Sequence, residues 1–124
     1  MLYPLIGARF HGWLDDIVVA TYLLGAWLLG LQGPALIAIL AGAAVHFLLA
    51  RLTDYPQGQF KLLKFQTHAY IELAEGIAVL VAAVFLAPGP WDLGRIFVAL
   101  MGASQFTAFA FSDYRWPLPD PAKV

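Results

Sequence analysis

The chain repeats itself. His11-Gly12-Trp13-Leu14-Asp15 returns as His68-Ala69-Tyr70-Ile71-Glu72 at an offset of 57 residues. Val45-His46-Phe47 and Thr53-Asp54-Tyr55 return as Ser104-Gln105-Phe106 and Ser112-Asp113-Tyr114 at an offset of 59. A longer central turn in the second copy accounts for the slip, with Ala87-Pro88-Gly89-Pro90 standing against Leu31-Gln32-Gly33-Pro34. Such a chain is expected to use one structural unit twice, at approximately 8–56 and 65–115 of a single domain covering residues 1–124. The recurring residues are mostly polar, and they are where a site should be sought.

Each unit is too apolar for a water-soluble fold. The chain is 61% hydrophobic and 12% charged, against about 25% charged in an ordinary soluble domain. A stretch of about 20 mainly apolar residues can cross a bilayer as a helix, and four such stretches lie at roughly 11–30, 34–52, 66–87 and 93–111. Each carries polar groups that only a bundle can shelter. The expected fold is therefore all-α: a four-transmembrane-helix bundle built from two tandem helical hairpins with parallel topology. A net charge of −1 gives no reason to expect a nucleic acid partner. The lack of cysteine excludes disulfides, thiolate catalysis, cysteine-ligated clusters and covalent haem. Asp15 and Asp16 interrupt the first apolar run where a signal peptide's core would be, so helix one is expected to be retained.

Turns and charges set the expected topology. Gln32-Gly33-Pro34 and Pro88-Gly89-Pro90 read as tight turns, with Pro34 in the first turn of helix two. Pro56-Gln57-Gly58 ends the first repeat, and residues 59–65, mixing aromatics and lysines, read as an interfacial segment along the headgroups. Arg9, Arg51, Lys61, Lys64, Arg115 and Lys123 fall on the side of the termini and the repeat linker, and only Arg95 falls on the other. The positive-inside rule then predicts a multi-pass protein of a bacterial-type inner membrane with both termini cytoplasmic. Two spans per repeat give both copies one orientation, related by a pseudo-twofold axis along the membrane normal.

This arrangement gathers the polar residues at one end. His11, Asp15 and Asp16 begin helix one, His68, Glu72 and Glu75 begin helix three, and Asp54 and Asp113 close helices two and four. His46 and Gln105 come eight residues earlier than those aspartates, about 12 Å deeper at 1.5 Å per residue. Positions 68, 72 and 75 form a stripe on one helical face. The expected result is a polar cup open or nearly open to the cytoplasm above a sealed apolar floor.

Imidazole and carboxylate together form a ligand set for first-row transition metals, and helical bundles build such centres from inward-facing Glu and His. The candidate ligands are His11, Asp15, His46, His68, Glu72 and Glu75. His11 and His68, facing each other across the axis, would also suit the two axial positions of haem b, with Asp15 and Glu72 orienting the imidazoles. A purely structural mouth is the competing expectation. Asp15 and Asp16 would then pair with Arg51, and Glu72 and Glu75 with Lys61 or Lys64. Thr53, Tyr55, Ser112 and Tyr114 would satisfy loose backbone groups, and acidic first turns would favour the helix dipole. Replacement of His46 by neutral Gln105 in the second copy marks a chemical divergence between the copies. Besides a metal- or haem-binding membrane protein, the residues allow an accessory subunit of a larger membrane complex or homo-oligomer, or a proton-linked transporter using Glu75 and His46.

The pattern Arg9-Phe10-His11-Gly12 with Asp15, then Thr53-Asp54-Tyr55-Pro56-Gln57-Gly58, then His68, Glu72 and Gly76, resembles small four-helix bacterial membrane proteins of the SPW-repeat kind. Gly89-Pro90-Trp91 and Gly33-Pro34-Ala35 stand where that family carries Ser-Pro-Trp. The resemblance implies a four-helix topology in the membrane and carries over no catalytic residue.

Overall fold

A computed structural model describes residues 5–85, 92–118 and 122. They form an all-α bundle of four helices: α1 (Ala8–Leu28), α2 (Gly33–Leu52), α3 (Phe65–Phe85) and α4 (Leu93–Phe111). The helices α1 and α2 form one close-packed pair, and α3 and α4 form the other. Three of them, α2, α3 and α4, are long and apolar enough to cross a membrane. Helix α1 is as long as α3, at 21 residues, but Asp15 and Asp16 lower its apolar content. The expected turn at Pro88-Gly89-Pro90, with Ala87 and Trp91 beside it, lies outside the described residues, as do Lys123 and Val124.

The first turn is encoded by glycine. Leu31 N–H reaches back to the Ala26 carbonyl at 3.0 Å and Gly30 N–H to the Trp27 carbonyl at 3.1 Å. This crossed pair requires a left-handed residue between them, and Gly30 supplies it with φ of 60°. Pro34 then sits in the opening turn of α2, where a missing N–H costs nothing. Helix α4 is started by Asp92, whose side chain accepts from the Arg95 N–H at 3.2 Å.

At the opposite end, the linker folds back on the bundle. Gln59 and Phe60 N–H groups both donate to the Arg51 carbonyl at 3.0 Å, and Leu62 N–H donates to the Leu52 carbonyl at 2.8 Å, satisfying the end of α2. A two-residue strand β1 (Thr53–Asp54) then pairs in parallel with β2 (Leu63–Lys64), Thr53 opposite Leu63. A single parallel bridge joins Ile6 to Ser112 beside it. The linker runs so tightly that a Cβ at Gly58 would overlap the Thr53 carbonyl oxygen. The interfacial reading of residues 59–65 needs correction at its end. Phe65 begins α3 and is fully buried, because the β1–β2 pairing draws it under the linker.

Two apolar clusters lie along the bundle. The larger, toward the α1–α2 turn, contains Tyr22, Ile39, Val79, Val98 and Met101. The smaller, at the linker end, contains Ala8, Tyr55, Phe65, Ala69 and Tyr114. The outer helix faces carry large apolar side chains in contact with the surroundings, including Trp27, Ile37, Leu48, Val84 and Leu100. A membrane supplies the matching solvent for such a surface.

Candidate metal centre

Between the two apolar clusters lies a layer of polar side chains withdrawn from solvent. His11, His46 and His68 are 0% exposed, Glu72 1%, Asp15 2% and Glu75 8%. The cup, expected from the sequence to be open or nearly open, is therefore closed. Tyr55, Phe65 and Tyr114 roof it, with Tyr114 and Phe65 ring centroids 4.7 Å apart and Phe65 edge-on to His11 at 5.0 Å. Nor do Asp15 and Glu72 act in the first turns of their helices. Helix α1 begins at Ala8 and α3 at Phe65, leaving no acidic residue in either first turn.

Four residues converge. His11, Asp15, His68 and Glu72 each present one donor atom, and these atoms all lie within 4.8 Å of one another. The two imidazoles meet through Nε2 atoms 3.1 Å apart. His11 Nε2 is 3.3 Å from Asp15 Oδ1 and 3.6 Å from Glu72 Oε2. His68 Nε2 is 3.6 Å from Asp15 Oδ2 and 3.9 Å from Glu72 Oε2. The spacing follows from the helix: His and carboxylate four residues apart share one face, once on α1 and once on α3.

The other side of each histidine is fixed by a hydroxyl. Thr53 Oγ donates its only proton to the Leu49 carbonyl at 2.6 Å, so toward His68 it can only accept. His68 Nδ1, 2.8 Å away, is then the N–H donor. In the neutral ring this leaves Nε2 as a bare lone pair aimed into the cluster. His11 Nδ1 lies 2.7 Å from Ser112 Oγ in the matching position. Each carboxylate also has a phenol. Tyr55 donates to Asp15 Oδ2 at 2.5 Å, and Tyr114 donates to Glu72 Oε2 at 3.1 Å. Burial, and then the neighbouring carboxylate, push both phenols above the usual tyrosine range, so they remain donors. Thr53, Tyr55, Ser112 and Tyr114 thus belong to the site; the sequence marks them as recurring polar residues but suggests for them only a structural role on loose backbone groups, which Thr53 also fills at the Leu49 carbonyl. Their signal was recurrence: Thr53 and Ser112, like Tyr55 and Tyr114, are separated by the same 59 residues.

His46 and Glu75 occupy the next layer inward, outside the four-residue convergence. His46 Nε2 faces Asp15 Oδ1 at 3.3 Å and its Nδ1 faces Glu75 Oε2 at 3.0 Å. Gln105 donates to Glu75 Oε1 at 3.0 Å and to the Tyr22 hydroxyl at 2.7 Å. The lysine pairing expected for Glu72 and Glu75 is absent among the described residues. Lys61 turns instead to the Tyr55 carbonyl, 2.9 Å away, and to Asp54, because the linker carries it away from the bundle axis. Asp16 does pair with Arg51, whereas Asp15 turns inward.

The arrangement has the dimensions of a coordination shell. Bonds of about 2.0–2.1 Å at tetrahedral angles separate donor atoms by about 3.3–3.5 Å. The imidazole–imidazole and imidazole–carboxylate separations given above, to one or other oxygen of Asp15, run from 3.1 to 3.9 Å, and one donor atom from each of the four residues lies within 4.8 Å of the rest. Imidazoles only 3.1 Å apart leave no gap for a macrocycle in this arrangement. The cluster can therefore hold a metal ion through two nitrogens and two oxygens. Comparison with protein family models, with curated proteins and with solved structures found no match to this chain.

Proposed function

We propose that this is a small multi-pass membrane protein whose buried His11–Asp15–His68–Glu72 cluster holds one first-row divalent metal ion. The observation that supports the reading best is the meeting of two imidazole Nε2 atoms at 3.1 Å, flanked by two carboxylates 3.3 and 3.6 Å from His11 Nε2. With His68 Nδ1 committed as a donor to Thr53, a cation is the natural occupant of the space toward which Nε2 points. A divalent ion also balances the charge of Asp15 and Glu72, and a net charge left in a membrane interior is costly. Four protein ligands without an open position match a structural or storage centre better than a catalytic one, and zinc best suits such a shell.

The four helices cross the membrane as two tandem hairpins related by a pseudo-twofold axis, with both termini in the cytoplasm. Three matched contacts favour that reading. Thr53–His68 parallels Ser112–His11, Tyr55–Asp15 parallels Tyr114–Glu72, and Thr53–Leu63 parallels Ser112–Ile6, with the sequence offsets of 57 and 59 throughout. The six-to-one distribution of basic residues favours the orientation, and a bacterial-type inner membrane suits both.

An accessory subunit with a purely structural polar core is the second reading, favoured by the partners already present for every one of the three histidines. Elemental analysis separates the two. Protein purified in nanodiscs with metal supplied during growth should carry one equivalent of a first-row metal. His68→Ala should lose it while keeping native helicity by circular dichroism. Metal-free native protein that takes up none of zinc, iron, manganese or cobalt would sink the metal reading and leave the structural one.

A further inference from the structure

The two seams between the helical pairs are filled differently. Where α4 meets α1, the Phe97 ring presses on Gly25, and Tyr22 and Met101 are buried in the core cluster. Where α2 meets α3, the positions matched by the offsets of 57 and 59 are smaller. Ala38 stands for Phe97, Gly42 for Met101 and Val79 for Tyr22. A groove of about 410 Å³ runs along this seam, lined by Ala38, Ala41, Ala78 and Val79. It opens on the outer face of two helices that are each long and apolar enough to span the bilayer.

One polar residue lines this groove, and it too departs from the repeat. Glu75 stands where the first copy has Val18. Its two oxygens receive His46 at 3.0 Å, Gln105 at 3.0 Å and a long contact from Tyr22 at 3.5 Å. A carboxylate has about four acceptor positions, so at least one remains open. Space and carboxylate thus appear together on this seam, whereas its counterpart has Val18 at the matching position and Phe97 against Gly25.

From this we infer that the α2–α3 groove binds a lipid-soluble alcohol, its apolar body lying along Ala38, Ala41 and Ala78 and its hydroxyl donating to Glu75. The volume lies within the range of small-molecule pockets, about 300–1,000 Å³. An occupant arriving from the bilayer needs no aqueous route. A hydroxyl matches the site because the acceptor is fixed and already held by its neighbours, so little reorganisation is required on binding. The inference stands on the groove and Glu75 and does not require an ion in the neighbouring cluster.

The test is saturation binding of radiolabelled farnesol to the full-length protein in nanodiscs, with empty nanodiscs as the blank. Farnesyl methyl ether, which keeps the apolar body and lacks the donor, is the competitor. Farnesol should bind one per chain, and the ether about tenfold more weakly, the loss expected when one buried hydrogen bond is removed. The doubly substituted Ala38→Phe/Ala41→Leu protein, refilled with bulk at two positions that line the groove, should bind neither. Glu75→Leu should remove the preference of alcohol over ether. No saturable binding to the native protein, equal affinity for alcohol and ether, or undiminished binding in the refilled variant each overturns the proposal. The native comparison of alcohol with ether decides the matter even if a variant fails to fold. Metal content measured on the same samples reports on the metal centre separately, so either reading can fail alone.

Discussion

Thr53 fixes which nitrogen of His68 carries a proton. Its hydroxyl is spent on the Leu49 carbonyl, so at 2.8 Å it can only accept from His68 Nδ1. This contact, rather than any property of the imidazole itself, aims the Nε2 lone pair at the cluster. Thr53→Val keeps the shape and removes the acceptor. It should weaken metal affinity about 10- to 100-fold, the usual cost of removing a partner behind a ligating histidine. Thr53→Ser should restore most of it, and Ser112→Ala should show a loss of similar size. Competition against a chromophoric chelator measures all three, and an unchanged affinity in Thr53→Val would contradict the tautomer assignment.

The two tyrosines of the roof should differ in weight. Tyr55 reaches Asp15 at 2.5 Å and Tyr114 reaches Glu72 at 3.1 Å. Replacing a donor to a buried carboxylate by phenylalanine should cost about 1–3 kcal/mol. Tyr55→Phe should lie toward the upper end of that range and Tyr114→Phe toward the lower. Unfolding in mixed micelles titrated with dodecyl sulfate gives both values. Equal or reversed losses would show that distance in this layer does not rank the bonds.

Metal removal should destabilise the bundle without dismantling it. An ion that binds only the folded state at a free concentration about 1,000 times its dissociation constant adds about 4 kcal/mol. Chelator-stripped protein should therefore unfold earlier in the same titration, and readdition should restore the native midpoint. His68→Ala should be insensitive to both treatments. The apolar packing of Tyr22, Ile39 and Val98 lies apart from the cluster, which is why helicity should survive.

Topology is tested by reporter fusions. A fusion at Gly33 should report from the periplasm and one after Val124 from the cytoplasm. Cytoplasmic activity at Gly33 would reverse the orientation drawn from Arg51, Lys61, Lys64 and Arg115.

Much of this architecture was legible in the chain. Apolar stretches gave four helices to within a few residues, and Gly33-Pro34 marked the start of α2. The inward-facing His and carboxylate stripe also followed from spacing, because side chains four residues apart on a helix share a face. Two features escaped. A hydroxyl just past a helix end ordinarily caps its own backbone. That Thr53 also reaches a histidine 15 residues onward depends on the chain reversing through residues 56–62. The closure of the cup was hidden for a related reason. Phe65 reads as an interfacial aromatic unless one knows that Leu63 pairs with Thr53, and strands of two residues leave no periodic trace. The seam groove was visible only as alanine richness, which usually means close helix packing.

The roof of Tyr55, Phe65 and Tyr114 carries a consequence for biogenesis. A centre sealed between two apolar clusters exchanges its ion only as fast as those rings part. An ion held there would first be set by what is at hand while the chain is being inserted and closed, and later competition among metals would proceed only at the rate of that opening. Copper outranks zinc at most nitrogen and oxygen donors at equilibrium. A lid that shuts early lets the supply at the site of synthesis outvote that order. The protein would then keep a lasting imprint of the metal pool in which it was made.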